Sequence, residues 1–152
     1  MVVLIRGKTV CAICGKVIYD GQAVQMFRPF VSNELDPLHF TSDAALHKEC
    51  FLQHPLSAAV SSRYQEMLKR TALPFRCRIC AKVIDDPEDY CAFGHLTTNE
   101  GDQLFKYNYA MFHRHCLHLW ADKDAVKRQL EELRLSGEWR GVAIDWIIKD
   151  LS

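Results

Sequence analysis

Two short stretches decide the fold: CAIC at Cys11–Cys14 with HKEC at His47–Cys50, and CRIC at Cys77–Cys80 with HRHC at His113–Cys116. Each reads C-x2-C, a gap of 32 residues, then H-x2-C, and each second-copy residue lies 66 positions after its counterpart. Thiols two residues apart, closed by a His/Cys pair at the same spacing, suit tetrahedral coordination of a borderline-soft divalent ion, above all zinc. The expected ligands are therefore Cys11, Cys14, His47 and Cys50 for one Zn2+, and Cys77, Cys80, His113 and Cys116 for a second. A zinc held by three thiolates and an imidazole is coordinatively full, so both sites are expected to be structural, with no catalytic residues. Lys16, Lys48, Lys82 and Arg114 stand close enough in sequence to soften the net charge of minus one that three thiolates leave on a dication.

Working outward, the repeat extends beyond the ligands. Between Cys11 and Cys50, fifteen positions recur 66 residues later, among them Ile13/Ile79, Val17/Val83, Ile18/Ile84, Phe27/Phe93, Asn33/Asn99, Asp36/Asp102 and Leu38/Leu104. An internal duplication of this kind predicts two modules, 1–70 and 71–136, followed by an unduplicated helix at 137–152. Units this small bury little surface and need a staple, which a metal supplies. An interleaved arrangement, with Cys11 and Cys14 sharing an ion with Cys77 and Cys80, is disfavoured because each copy already holds a complete quartet.

The 152 residues carry 19 Lys and Arg against 19 Asp and Glu, a balance that argues against a general nucleic-acid or membrane-surface binder. No apolar signal core occupies 1–10 and no run approaches a membrane span, so a cytoplasmic protein with reduced thiols is expected. Cys91 is the one cysteine outside the quartets and is expected to be a buried apolar residue on a strand.

The local signals predict an α+β chain. Residues 1–5 suggest an entering strand, 17–19 and 23–31 a hairpin around Asp20-Gly21, and 32–46 a loop with a second short hairpin. Gly15, just past a thiol, suits a left-handed turn; Ala81 replaces it in the second copy. His47 and Cys50, then His113 and Cys116, are expected to open helices, with further helices over 55–70 and 124–135. Residues 138–152 predict one helix striped by Trp139, Val142, Ala143, Trp146 and Ile147, and widened by Ile144, Ile148 and Leu151. His115 with His118, and Cys91 with His95, are conceivable extra ligand pairs. The acidic 85–89 run suggests a solvated turn.

A thiol pair on a hairpin followed by a His/Cys pair opening a helix resembles the treble-clef class of zinc fingers and, within it, the first finger of LIM domains. The resemblance covers Cys11–Leu52 and Cys77–Leu119. LIM fingers are shorter between the ligand pairs and follow one another almost directly, whereas 26 residues separate Cys50 from Cys77 here. The resemblance thus implies tandem treble-clef-like modules rather than a LIM domain.

Closed metal sites, balanced charge, no catalytic cluster and an apolar C-terminal helix together point to a non-enzymatic protein-interaction module, such as an adaptor, inhibitor or immunity-like binder. The alternative is a nucleic-acid-binding zinc-finger protein, for which Lys127, Arg128 and Arg134 on one helix would serve.

Overall fold

The computed structural model describes residues 1–152 and has the expected α+β character. In the first copy, strand β1 (Val24–Phe27) pairs antiparallel with β2 (Ala44–His47), and β2 runs into α1 (Lys48–Gln53) and then α2 (Ser57–Arg70). In the second, β3 (Tyr90–Ala92) pairs with β4 (Met111–His113), a 3-10 turn covers Arg114–Leu119, and α3 spans Lys123–Ser136. Helix α4 (Ala143–Asp150) follows.

The duplication is visible in the backbone. Val24 faces His47 in one sheet and Tyr90 faces His113 in the other, which is the same register 66 residues apart. The shared Asn and Asp explain themselves as turn formers. Asn33 Oδ1 accepts the Leu35 amide and Asp36 Oδ1 the Leu38 amide, while Asn99 and Asp102 do the same for Gly101 and Leu104. Such side-chain bonds stop an extended strand and start a 3-10 turn. They bring buried Leu38 and Leu104 into their respective cores.

Each copy has its own apolar cluster. Ile18, Phe27, Leu38, Leu46 and Val60 centre the first; Ile84, Phe93, Leu104, Phe112, Val126 and Leu130 centre the second. The two modules also touch. Thr98 Oγ1 donates to Asp36 at 2.8 Å, Tyr109 Oη donates to the Phe30 carbonyl at 2.7 Å, and the Arg63 guanidinium lies 4.5 Å from the centre of the Phe105 ring.

Several expectations are corrected. Residues 1–5 form no strand, because no neighbouring strand is available; Val2 and Leu4 instead pack on the first core and the Ile5 amide is taken by Thr9 Oγ1. The second hairpin within 32–46 is absent, since β2 returns to pair with β1. Val17 makes only a single bridge, to Val10. The strand at 23–31 stops at Phe27, and the Phe30 and Val31 amides donate to Ser42 Oγ.

The largest correction is the C-terminal helix, which begins at Ala143 rather than at 138. Gly141 has φ of +111° and lies against the Ser32 carbonyl, which a Cβ would approach to 3.3 Å. The preceding backbone is engaged by the first module: Asn33 Nδ2 donates to the Glu138 carbonyl, the Arg140 amide to Asn33 Oδ1, and the Glu34 amide to the Arg140 carbonyl, each at 3.0 Å. These tertiary bonds replace the helical ladder. The expected stripe splits accordingly. Ile144, Ile147, Ile148 and Leu151 are buried at i, i+3, i+4 and i+7, and Trp139 is buried on the extended segment, whereas Val142 and Trp146 face solvent.

Candidate metal centres

Each quartet is built by one tight turn and one strand end. After Cys11 the chain turns back so that the Gly15 amide meets the Cys11 carbonyl and the Cys11 amide meets the Lys16 carbonyl; Ala81, Cys77 and Lys82 repeat both bonds. The turn requires a left-handed residue, and Gly15 has φ of +69° while Ala81 adopts +60° in spite of its Cβ. The amide of His47, the last residue of β2, donates to Cys11 Sγ at 3.3 Å, and that of His113, ending β4, to Cys77 Sγ at 3.4 Å. Cys50 and Cys116 then follow in the first helical turn.

All four candidate ligand atoms of each quartet lie within 4.8 Å of one another, and the groups are sequential rather than interleaved. The fit to a tetrahedral ion can be checked against bond lengths. Zinc bonds of about 2.3 Å to sulfur and about 2.0 Å to nitrogen, at tetrahedral angles, put sulfur and nitrogen about 3.5 Å apart. His47 Nδ1 lies 3.4 Å from Cys14 Sγ and 3.8 Å from Cys50 Sγ; His113 Nδ1 lies 3.3 Å from Cys80 Sγ and 3.9 Å from Cys116 Sγ. The far nitrogen of each ring faces an oxygen, Gln22 Oε1 for His47 and the Val83 carbonyl for His113, both at 3.2 Å. An Nε2–H donated there leaves the Nδ1 lone pair free for a metal. The donor set and its geometry thus fit two ions per chain.

The thiols differ in acidity. Burial raises the Cys11 thiol, but amide donors from Cys14, His47 and Ile13 outweigh it and bring it down to about 6. Cys77 is brought to about 6 against burial in the same way, by Cys80, His113 and Ile79. Burial first, and then the neighbouring thiols, push Cys50 up to about 11 and Cys116 up to about 12. Without a cation the later thiol of each quartet keeps its proton, so metal binding must release it.

The quartets differ in access. Cys14 is exposed and His47 and Cys50 are half-buried beneath an open concavity of about 390 Å³, whereas Cys77, His113 and Cys116 are buried. Of the cations expected nearby, Lys16 lines that concavity, but Arg114 is committed to Asp150 of α4.

The extra ligand pairs are not assembled. Cys91 is buried on β3, with its thiol pushed up to about 12 by burial and by Asp150, while His95 turns to Thr98, 3.3 Å away. His118 is exposed and joins no cluster; His115 pairs with Asp89 and stacks on His113. The 85–89 segment forms an exposed turn capped by Asp86. Sequence reasoning named His95 only as a conceivable ligand beside Cys91 and did not foresee its full burial, and it missed buried Arg63 at the module junction. Arg63, on the inner side of an otherwise apolar helical stripe, carried a signal of burial.

The fold and its two Cys3His groups define a class, an α+β chain of two tandem modules each able to hold a metal ion. Comparison with protein families, with characterised proteins and with solved structures finds no match to this chain. No helix is long and apolar enough to cross a membrane.

Proposed function

We propose that each quartet binds one structural zinc ion, in modules of the treble-clef class, and that the paired modules form a non-enzymatic scaffold for another protein. Three thiolates and one imidazole favour zinc over harder cations, and four protein ligands supply a full tetrahedral shell. The observation that carries the protein-binding reading is Trp146. This residue is 64% exposed on a helix whose opposite face is locked into the second core, with Val142 and Leu135 also exposed. Exposed aromatic side chains on rigid elements are frequent binding hot spots.

The nucleic-acid alternative draws less support from α3. Lys127 pairs with Glu131 and Arg134 with Asp145, leaving Arg128 as the one cation of the three without a carboxylate partner.

Metal analysis of protein at known concentration should give two zinc ions per chain, and Cys50→Ser should leave one. One ion in the wild type would refute the paired sites. Trp146→Ala should retain both ions and the thermal transition while losing a protein partner captured by the wild type; capture undiminished by the substitution would refute the role of this helix.

A further inference from the structure

Arg70 at the end of α2, Arg76 before the second thiol turn and Arg78 within it line one concavity of about 220 Å³, floored by Tyr109, Ala110 and Met111. The concavity exists only because the modules meet, since Arg70 belongs to the first and the other residues to the second.

Each guanidinium is held in place by a partner that leaves donors free. Arg70 donates to the Asn108 carbonyl at 2.8 Å and pairs with Glu66 at 3.0 Å. Arg76 donates to the Ala81 carbonyl at 3.3 Å, and Arg78 lies 4.9 Å from the centre of the Tyr107 ring. Neither Arg76 nor Arg78 forms an ion pair, and no carboxylate lines the cleft. Of the nearby acids, Glu66 is shared between Arg63 and the cleft's own Arg70, and Asp122 is engaged by Lys106 and Tyr107, so Arg76 and Arg78 carry the uncompensated charge.

The duplication supplies an internal control. Arg76 and Arg78 correspond to Val10 and Ala12, and Tyr109 to Asp43. The first module forms the same thiol turn and the same amide bond to its first thiol with Val10 and Ala12 in place. Neither the turn nor the charge of a metal–thiolate centre therefore demands the arginines. They are an addition of the second module, and both line the cleft.

We propose that this junction cleft binds a phosphate monoester, with Arg70, Arg76 and Arg78 as its donors. Planar guanidinium forks match phosphate oxygens, and holding them in position beforehand lowers the entropic cost of binding. The three arginines line a single cleft, and the chain as a whole has no net charge, which favours a compact dianion over a long polyanion. The proposal goes beyond the zinc-scaffold reading and does not depend on the Trp146 face.

The test uses the full metal-loaded chain, with arginine Nε–H resonances followed by NMR during titration with O-phosphoserine, inorganic phosphate and a thymidine oligonucleotide lacking terminal phosphate. O-Phosphoserine should give saturable shifts at Arg70, Arg76 and Arg78 and bind at least as tightly as inorganic phosphate. Arg78→Ala and Arg76→Val, which install the residues of the first module, should each weaken it roughly tenfold or more by removing a charge-assisted hydrogen bond. Zinc content and unfolding should be unchanged. Arg78→Lys, which keeps the charge and loses the fork, should also bind more weakly. No saturable shift, binding confined to inorganic phosphate, or affinity unchanged in the variants would overturn the assignment. So would tighter, steeply salt-dependent binding of the oligonucleotide. A chain with two zinc ions and no phosphoserine binding would refute this inference and leave the metal reading standing.

Discussion

Trp139 and Trp146 sit seven residues apart and should respond oppositely to truncation. Trp139 is 7% exposed within the second core, and its indole nitrogen has no hydrogen-bond partner. Removing a buried aromatic side chain costs about 3 to 5 kcal/mol. The unmet N–H already costs the native state about 1 to 3 kcal/mol and disappears with the ring, so the lower end applies. Trp139→Ala should therefore lose about 3 kcal/mol, which for a chain of this size lowers Tm by roughly 6 to 12 °C. Trp146, largely in solvent, should change stability by no more than about 0.5 kcal/mol when cut to alanine. Thermal and denaturant unfolding of both variants, with zinc content measured alongside, separates the cases. Equal losses would refute the division of this segment into a buried anchor and an exposed face.

The open first centre should release its ion before the second: N-ethylmaleimide with a metallochromic chelator should show two phases, with Cys14 alkylated in the fast one, and a single rate for both ions would contradict the difference in access. His95, driven down to about 4 by burial and by Arg63 against the pull of Asp36, stays neutral in the fold while the unfolded chain protonates near 6.5. Its stabilising contribution is thus complete above about pH 6.5 and lost as pH falls to about 4, amounting to about 3 kcal/mol. His95→Gln should flatten the stability curve across that window relative to wild type, and an unchanged slope would refute it. Ala81→Gly should raise stability by about 0.5 to 1 kcal/mol in denaturant titration, because it relieves a left-handed Cβ; a loss would show that no strain resides there.

Where sequence reasoning failed, a distant part of the chain had intervened. The flanking Gly137 and Gly141 are the local signals against a helix at Glu138–Arg140, and Asn33 and Glu34, more than a hundred residues earlier, take its backbone groups. The fifteen-residue identity likewise marked Asn33 and Asp36 as shared positions without disclosing that Asp36 also accepts from Thr98 across the junction. Residues 1–5 had strand composition and no strand to pair with.

Ligand chemistry and repeat spacing are local or periodic properties. Sequence alone therefore determined the two quartets, their sequential grouping, the duplicated α+β modules and the helices that follow the ligands. Which face of α4 is buried, which quartet opens to solvent, and the cleft that Arg70 shares with Arg76 and Arg78 were decided only by tertiary structure. The buried face of α4 depends on its packing in the second core, and the cleft on how one module is set against the other, a placement held by contacts such as Tyr109 with Phe30 and Asn33 with Arg140. These join residues whose separation in sequence carries no periodic signal, so their pairing becomes visible only once the chain has folded.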